Sequence, residues 1–249
     1  MAIVKPSATP YIFDDFRNAA DTLKQAVCRH EPYLLLLGES GSGKTSLLRH
    51  LHGTLDKSCF SILYLCHGRP SPSALARVLA DALHLPLRRT RAETSRMLLS
   101  TLKNLPSKLL LWIDEAQLIH EDTLHELRLL SEADLTGPPL FCVILCALPT
   151  LKERLLAPDL FPLYRRISTR VRLRGLRHEE IAPFINHVIG KNSGRRFTPE
   201  ALTVIFEQAR SIPATVKSYA SYCLKHQKDS KTTIDKKCVT ELLDTIETM

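Results

Sequence analysis

The chain has 249 residues, enough to bury a substantial core in one large domain or in one domain with a small appendage. Its hydrophobic content is 44%, its aromatic content is only 6%, and no apolar run approaches the roughly 18 residues that span a bilayer, which argues against a membrane-spanning protein. The net charge of +8 favours nucleic acid first and a membrane surface second as a partner, but it is equally compatible with an ordinary basic protein.

The cysteines and the first residues bear on the compartment. The seven cysteines are scattered and form no CxxC pair, so the sequence predicts neither a disulfide framework nor a zinc site. The first residues lack a basic start followed by a long apolar run, so we expect no signal peptide. We therefore expect a cytoplasmic protein with no membrane partner.

The first two thirds of the chain alternate between helical and strand patterns. Apolar residues recur at helical spacing from Asp15 to Arg29, and the short apolar run from Tyr33 to Leu37 predicts a buried strand before a glycine-rich loop. Further strands are predicted at residues 60–66, 108–113, 140–146 and 169–173, and further helices at 44–55, 73–83, 91–105 and 122–131. This alternation predicts an α/β fold with a mainly parallel sheet covered by helices on both faces.

After Gly175 the strand patterns stop. Four helices are predicted at residues 178–192, 199–210, 213–227 and 235–248. Thr198 followed by Pro199 is typical of a helix start, because the hydroxyl caps the first turn and proline suits its first position. We therefore predict an α/β nucleotide-binding domain at residues 1–175 and an all-helical domain at residues 176–249.

The glycine-rich loop reads GESGSGKT and matches the P-loop pattern at all eight positions. Its glycines allow a tight turn whose N–H groups point at phosphates, Lys44 supplies a mobile cation, and the Thr45 hydroxyl can bind Mg²⁺. The alternative is a flexible glycine loop, but the preceding strand and following helix favour an ATP site. The predicted nucleotide contacts are Gly38, Glu39, Ser40, Gly41, Ser42, Gly43, Lys44, Thr45 and Ser46.

The second motif of the candidate site is acidic and reads LLLWIDEAQ. Its apolar residues belong to the predicted strand at residues 108–113, and the acidic pair follows directly. The strand delivers Asp114 to its carboxyl end, where ligands bind in open α/β sheets, so Asp114 is a predicted magnesium ligand together with Thr45. Glu115 is placed to polarise the attacking water and is, with Lys44, a predicted catalytic residue. One further strand fits between Lys44 and Asp114, which is typical of P-loop proteins that place a glutamate beside the magnesium aspartate. In isolation, this motif would be an acidic strand-to-helix turn.

Three later segments carry a family resemblance: LHELRLLSEADL, FCVILCALPTLKERL and LYRRISTRVRLRGLRHEEIAPFI. They resemble the AAA+ ATPases of the ExeA-like group, which includes small transposon-encoded ATPases similar to TnsC, TniB and the MuB target selector of phage Mu. The resemblance covers Tyr11 to about Leu224. It implies a P-loop AAA+ sheet with a C-terminal helical lid, and self-association into a ring or helical filament with ATP between subunits.

The same resemblance implies an arginine finger and two sensor positions. Arg165 and Arg166 match the place of the finger, and Arg166 is the preferred catalytic residue, although both could be part of a basic surface. Leu148 stands where the family has a polar sensor, and Ala214 stands where its lid has a sensor arginine; Lys217 is one helical turn further on. We therefore predict slow ATP hydrolysis.

A basic segment, PLRRTRAETSR, follows the second predicted strand. By spacing alone, it fits phosphate contacts and a solvated surface equally well. In TnsC-like assemblies the corresponding region faces double-stranded DNA, which favours DNA contacts here. The predicted contacts are Arg88, Arg89, Thr90, Arg91, Thr94 and Arg96. A second arginine cluster between residues 165 and 177 could bind phosphates or a neighbouring subunit.

Together these features predict an ATP-dependent DNA-binding regulator that recruits or activates a transposase at target DNA. The first alternative is an ExeA-like secretion ATPase, although that role usually requires a membrane span and a peptidoglycan-binding segment, and the sequence predicts neither. The second alternative is a nucleotide-gated scaffold that hydrolyses little ATP.

Overall fold

The computed structural model describes residues 9–65, 70–86, 90–131, 133, 137–227 and 233–247. The chain forms two compact units. The first comprises Ala19–Gly38 and the described part of Lys44–Arg172, and the second comprises Glu39–Gly43 with the described parts of Ser7–Asn18 and Leu173–Met249. No helix among the described residues is long and apolar enough to cross a membrane.

A five-stranded sheet forms the frame of the first unit. Its strands are β1 (Tyr33–Gly38), β2 (Phe60–Leu65), β3 (Lys108–Ile113), β4 (Phe141–Ala147) and β5 (Ile167–Leu173). They lie in the order β2-β3-β4-β1-β5, and β4 pairs in parallel with both β1 and β3. The predicted parallel sheet with flanking helices is confirmed. The P-loop and the acidic motif therefore follow strands that share β4 as a neighbour.

Helices surround this sheet and close its core. They are α1 (Asp14–Cys28), α2 (Lys44–Thr54), α3 (Pro72–Ala82), α4 (Arg91–Lys103), α5 (Glu121–Ser131), α6 (Thr150–Leu155) and α7 (Phe161–Arg166). All seven residues of β4 and all six of β1 are buried, as expected of central parallel strands with both faces covered. The core cluster joins these strands to leucines of α3, α4 and α5. The apolar runs in the sequence are thus explained by two-sided burial.

Four helices make up most of the second unit: α8 (Ile181–Val188), α9 (Pro199–Ala209), α10 (Pro213–His226) and α11 (Lys236–Glu247). The Thr198 hydroxyl accepts the N–H of Ala201, so the predicted cap of α9 is present. Asp15, from the N-terminal segment of this unit, accepts the N–H groups of Arg174 and Gly175 at 2.6 and 3.2 Å. The predicted boundary at residue 175 stays a prediction.

Several boundaries differ from the sequence-based expectation. The helix predicted at residues 178–192 is a 3₁₀ turn, His178–Glu180, followed by the shorter α8. The short helices α6 and α7 were not predicted, because six residues carry too little periodicity to be recognised. The last predicted residues of two elements, Cys66 and Thr248, lie outside the described residues.

Candidate nucleotide site

Parallel pairing brings the ends of β1 and β3 to one edge of the sheet. Gly38 ends β1 and Lys44 begins α2, while Asp114 and Glu115 directly follow β3. Lys44 is only 7% exposed, and its Nζ donates to the Gly38 carbonyl at 2.9 Å. The cation predicted to meet the phosphates is therefore already held at the carboxyl edge, where ligands bind in this kind of sheet.

The Asp114 carboxylate is surrounded by hydroxyl groups. Its Oδ2 accepts hydrogen bonds from Thr45 Oγ1 at 3.0 Å and from the Tyr64 hydroxyl at 2.9 Å. The structure therefore brings together the two predicted magnesium ligands, Thr45 and Asp114. A hydroxyl and a carboxylate are hard oxygen ligands of the kind that Mg²⁺ takes in P-loop sites, so the donor set fits this ion. Tyr64, on β2, was not predicted, because nothing in its local sequence points to Asp114.

Glu115 is held in an unusual backbone conformation, at φ 53° and ψ 38° in the left-handed region. Its N–H donates to Asp114 Oδ1 at 3.0 Å, and its Oε2 accepts from Gln117 Nε2. The other end of the Gln117 amide, Oε1, accepts the N–H of Leu148 at 3.1 Å. The predicted water-polarising carboxylate thus has a defined partner, and Leu148 takes part through its backbone.

A buried thiol lies behind these charged groups. Cys146, on β4, is completely buried, and burial raises the pKa of its thiol well above the ordinary value, with Asp114 adding to the effect and Lys44 opposing it. The thiol is therefore neutral at physiological pH. It contributes packing rather than charge to the site.

The central part of the P-loop, residues 39–43, belongs to the second unit. Gly41 and Gly43 have φ of +78° and +103°, values that favour glycine. A Cβ added at Gly43 would meet no atom within 4 Å, whereas one added at Gly41 would lie 2.6 Å from Ala214 Cβ. Ser42 is 2% exposed, and its Oγ has no hydrogen-bond partner among the described residues. Open space at Gly43 and an unsatisfied buried hydroxyl fit a loop shaped to receive a ligand.

Ala214, at the predicted lid sensor position, contacts the P-loop directly. Its N–H donates to the Gly41 carbonyl at 3.2 Å, from the first turn of α10. The Ala214 Cβ lies against Gly41, so this position leaves no room for a side chain at Gly41. Ala214 itself is exposed, and it meets the P-loop through its backbone N–H and its Cβ rather than through a cation.

The candidate finger residues lie in the last turn of α7. Arg165 and Arg166 are both exposed, directly before β5, which is an edge strand of the sheet. Arg170, on β5, stacks its guanidinium over the Tyr164 ring at 4.1 Å from the centroid. This exposed position is compatible with a role toward a neighbouring molecule, and the choice of Arg166 as the finger stays a prediction.

The predicted DNA contacts are only partly covered by the structure. Arg88 and Arg89 lie outside the described residues, and so does the side chain of Arg91. Thr90 caps α4 by accepting the N–H of Glu93 at 3.2 Å, and the buried Thr94 hydroxyl donates to the Thr90 carbonyl at 3.1 Å. Arg96 is exposed. The two threonines thus have roles within the helix, and Thr94 is the least accessible of the described candidates.

This arrangement defines the chain as a P-loop nucleotide-binding protein with a parallel AAA-type sheet. The model of a family described as "AAA domain" matches residues 28–155, more than half of the chain. The chain therefore belongs to the AAA domain family. Membership of this family implies a nucleotide-hydrolysing ATPase domain.

Similarity to individual proteins supports the same assignment. The chain is 26% identical over 193 residues to General secretion pathway protein A of Aeromonas hydrophila, with 74% of this chain and 35% of that protein covered. The chain therefore spans about a third of the length of this curated relative.

Solved structures show the same fold at low sequence identity. The ORC2 protein of Aeropyrum pernix, solved as ADPNP–ADP complexes, has a TM-score of 0.67 at 13% identity and covers 98% of this chain and 70% of its own. The ORC1 protein of the same organism, solved in complex with DNA, has a TM-score of 0.58 at 15% identity, with coverages of 97% and 68%. A Thermotoga maritima RuvB mutant has a TM-score of 0.56 at 15% identity and covers 98% of this chain and 74% of its own.

Proposed function

We propose that this chain is an ATP-dependent DNA-binding regulator of DNA transposition that hydrolyses ATP slowly. The observation that carries the nucleotide part is the joint placement of Lys44, Thr45, Asp114 and Glu115 at one edge of the sheet. Lys44 would bind the phosphates, and Thr45 with Asp114 would hold Mg²⁺. When bound, the ion would offset negative charge on the phosphates.

Glu115 would orient and polarise the attacking water in this scheme. Two features support slow turnover. Leu148 has no polar side chain to offer at the sensor position, and Ala214 contributes a backbone N–H to Gly41 rather than a cation to the nucleotide. Fewer groups would then stabilise the charge that develops in the transition state. We propose that ATP binding, more than its hydrolysis, sets the state of the protein.

The DNA and oligomer parts of the proposal depend on charge and on the family resemblance. The chain carries a net charge of +8, and Arg165, Arg166 and Arg96 are exposed. One solved structure of similar fold contains DNA. We propose that ATP favours an oligomer, with Arg166 reaching the nucleotide of a neighbouring subunit. The oligomer would grip double-stranded DNA through phosphate contacts and recruit a transposase there.

The test is the affinity for duplex DNA with and without ATP, measured by fluorescence anisotropy at fixed salt. We expect ATP to raise the affinity about tenfold, which is an ordinary size for coupling between two sites. Lys44→Ala should remove this dependence, whereas the matched variant Lys57→Ala, an exposed lysine beyond α2, should keep it. Equal affinity in all of these conditions would contradict the proposal.

A secretion-associated ATPase is the second candidate. It is favoured by the 26% identity to General secretion pathway protein A, of which this chain covers 35%. ATP hydrolysis that depends on Lys44, without any measurable DNA binding, would favour this alternative. The variant Glu115→Gln distinguishes a nucleotide-gated scaffold from an ATP-driven regulator. A scaffold would assemble as before. An ATP-driven regulator would lose the hydrolysis-dependent step that releases it from DNA.

A further inference from the structure

The Gln117 side chain joins the Glu115 carboxylate to the end of β4. One end of its amide contacts Glu115 Oε2, and the other accepts the Leu148 N–H at 3.1 Å. A carboxylate only accepts hydrogen bonds and a backbone N–H only donates one, so the two partners dictate which end of the amide is NH₂ and which is oxygen. The amide therefore has a single orientation in which both bonds form.

The backbone that carries Gln117 is itself held in place. Gln117 lies in the 3₁₀ turn Ala116–Leu118, whose first residue is fully buried. From α6, the Arg154 guanidinium donates to the Gln117 carbonyl and, at 3.0 Å, to the Ile119 carbonyl. The turn cannot shift without breaking these bonds, so the Gln117 side chain extends from a fixed base.

Glu115 needs such a partner. Glu115 is half-buried. Leu148, which directly follows β4 at the predicted sensor position, has no polar side chain to offer it. Gln117 reaches the backbone of Leu148 instead, so a polar link between the carboxylate and the end of β4 exists without a polar residue at position 148. The link spans 31 residues of sequence.

We propose that Gln117 is a positioning residue that holds the Glu115 carboxylate in the orientation required for hydrolysis, with Leu148 N–H as its anchor. The inference rests on the proposed role of Glu115 in ATP hydrolysis. Loss of the Gln117 bond frees the carboxylate to adopt other rotamers, which lowers the fraction of bound ATP that faces a correctly placed base. Lys44, Thr45 and Asp114 keep their own contacts, so ATP binding is unaffected.

Two substitutions separate the two ends of the amide. Gln117→Met keeps the length of the side chain and removes both bonds. Gln117→Glu keeps an oxygen for the Leu148 N–H but has no donor for Glu115 and places a second negative charge beside it. Gln25→Met, at an exposed position of α1, is the matched control.

The experiment measures kcat, KM and the dissociation constant of a fluorescent ATP analogue for each variant. We expect kcat to fall about tenfold for Gln117→Met and at least as far for Gln117→Glu, with the dissociation constant within about twofold of the original protein. Gln25→Met should match the original protein. An unchanged or increased kcat for Gln117→Met or Gln117→Glu would overturn the proposal.

A second readout tests the geometry without using hydrolysis. In the nucleotide-free protein, NMR should show slow hydrogen exchange at the Leu148 amide, faster exchange in Gln117→Met and retained protection in Gln117→Glu. Fast exchange at the Leu148 amide in the original protein would contradict the proposed hydrogen bond between Leu148 N–H and Gln117. If the original protein hydrolyses ATP no faster than Lys44→Ala, the proposed ATPase role is refuted, and the positioning role with it. The hydrogen-exchange result would still stand in that case. The two failures are therefore distinguishable.

Discussion

Polar groups at the end of β3 bond to residues far away in the sequence, whereas those at the start of α4 bond within their own helix. Asp114 and Gln117 bond to Tyr64 and Leu148, 50 and 31 residues away, respectively. Thr90 and Thr94 bond to groups three and four residues away. The first region is therefore fixed by tertiary contacts, and the second is a capped helix start with exposed charge. Substitutions should have large, specific effects in the first region and small, salt-dependent effects in the second.

The largest effect is expected from Glu115→Gln. The amide retains the volume and can still accept from Gln117, but it cannot take up a proton from water. We expect kcat to fall about 10²- to 10³-fold with little change in ATP affinity, as measured by single-turnover hydrolysis and nucleotide titration. Glu153→Gln, an exposed position on α6, is the control. A rate equal to that of the original protein would remove Glu115 from the catalytic role.

The next effect concerns the two P-loop glycines with positive φ. Gly43→Ala introduces backbone strain of about 1–2 kcal/mol, because alanine rarely adopts a φ of +103°. Its Cβ would enter open space, so we expect no further cost from a clash. Gly41→Ala adds to similar strain a Cβ placed 2.6 Å from Ala214 Cβ, so we expect a total loss of about 2–4 kcal/mol in the free energy of unfolding. Urea denaturation of both variants checks the order. Equal losses would contradict the close packing of Gly41 on Ala214.

A smaller, pH-dependent effect is expected at Glu31, in the turn before β1. Burial acts to raise the pKa of its carboxyl, but hydrogen bonds from Ser168, Thr169 and Arg29 outweigh it and lower the pKa below the ordinary value. A carboxyl with a lowered pKa contributes stability above its unfolded-state pKa and loses it as the pH falls through the folded-state value.

Glu31→Gln should therefore lower the free energy of unfolding by about 1–2 kcal/mol near pH 7. The difference from the original protein should shrink as the pH falls below the ordinary range of a glutamate. Urea denaturation at a series of pH values measures it. A difference that stays constant down to the lowest pH would show that the charge of Glu31 is not responsible.

The smallest effect is expected from Arg96→Ala in the basic segment. If Arg96 contacts a phosphate, its removal weakens DNA binding severalfold for all sequences and reduces the salt slope by about one. Arg195→Ala, which also removes an exposed arginine, is the control for the loss of one charge. Equal effects of the two substitutions would indicate general electrostatics rather than a contact made by this segment.

Local signals were sufficient for much of the fold and for the main components of the candidate site. The strand at Lys108–Ile113 has the predicted bounds. Thr45 donates to Asp114, and Lys44 donates to Gly38 beside them, so the residues predicted to bind nucleotide and Mg²⁺ lie at one edge of the sheet, while their roles stay predictions. The P-loop and the acidic motif are compact patterns in which the residue types and spacing follow from the chemistry of phosphate and magnesium binding. Buried parallel strands are likewise visible as short apolar runs.

The sequence by itself determined which chemistry the chain can carry, and the tertiary structure decided which other groups surround it. Tyr64 on Asp114, Arg154 on the Gln117 turn, and Ala214 on Gly41 have no local pattern, since each depends on how distant segments pack. A hydrogen bond between residues tens of positions apart depends on strand order and helix placement, which residue spacing does not encode. For that reason Gln117 is an ordinary glutamine in the sequence and a link between Glu115 and β4 in the folded chain.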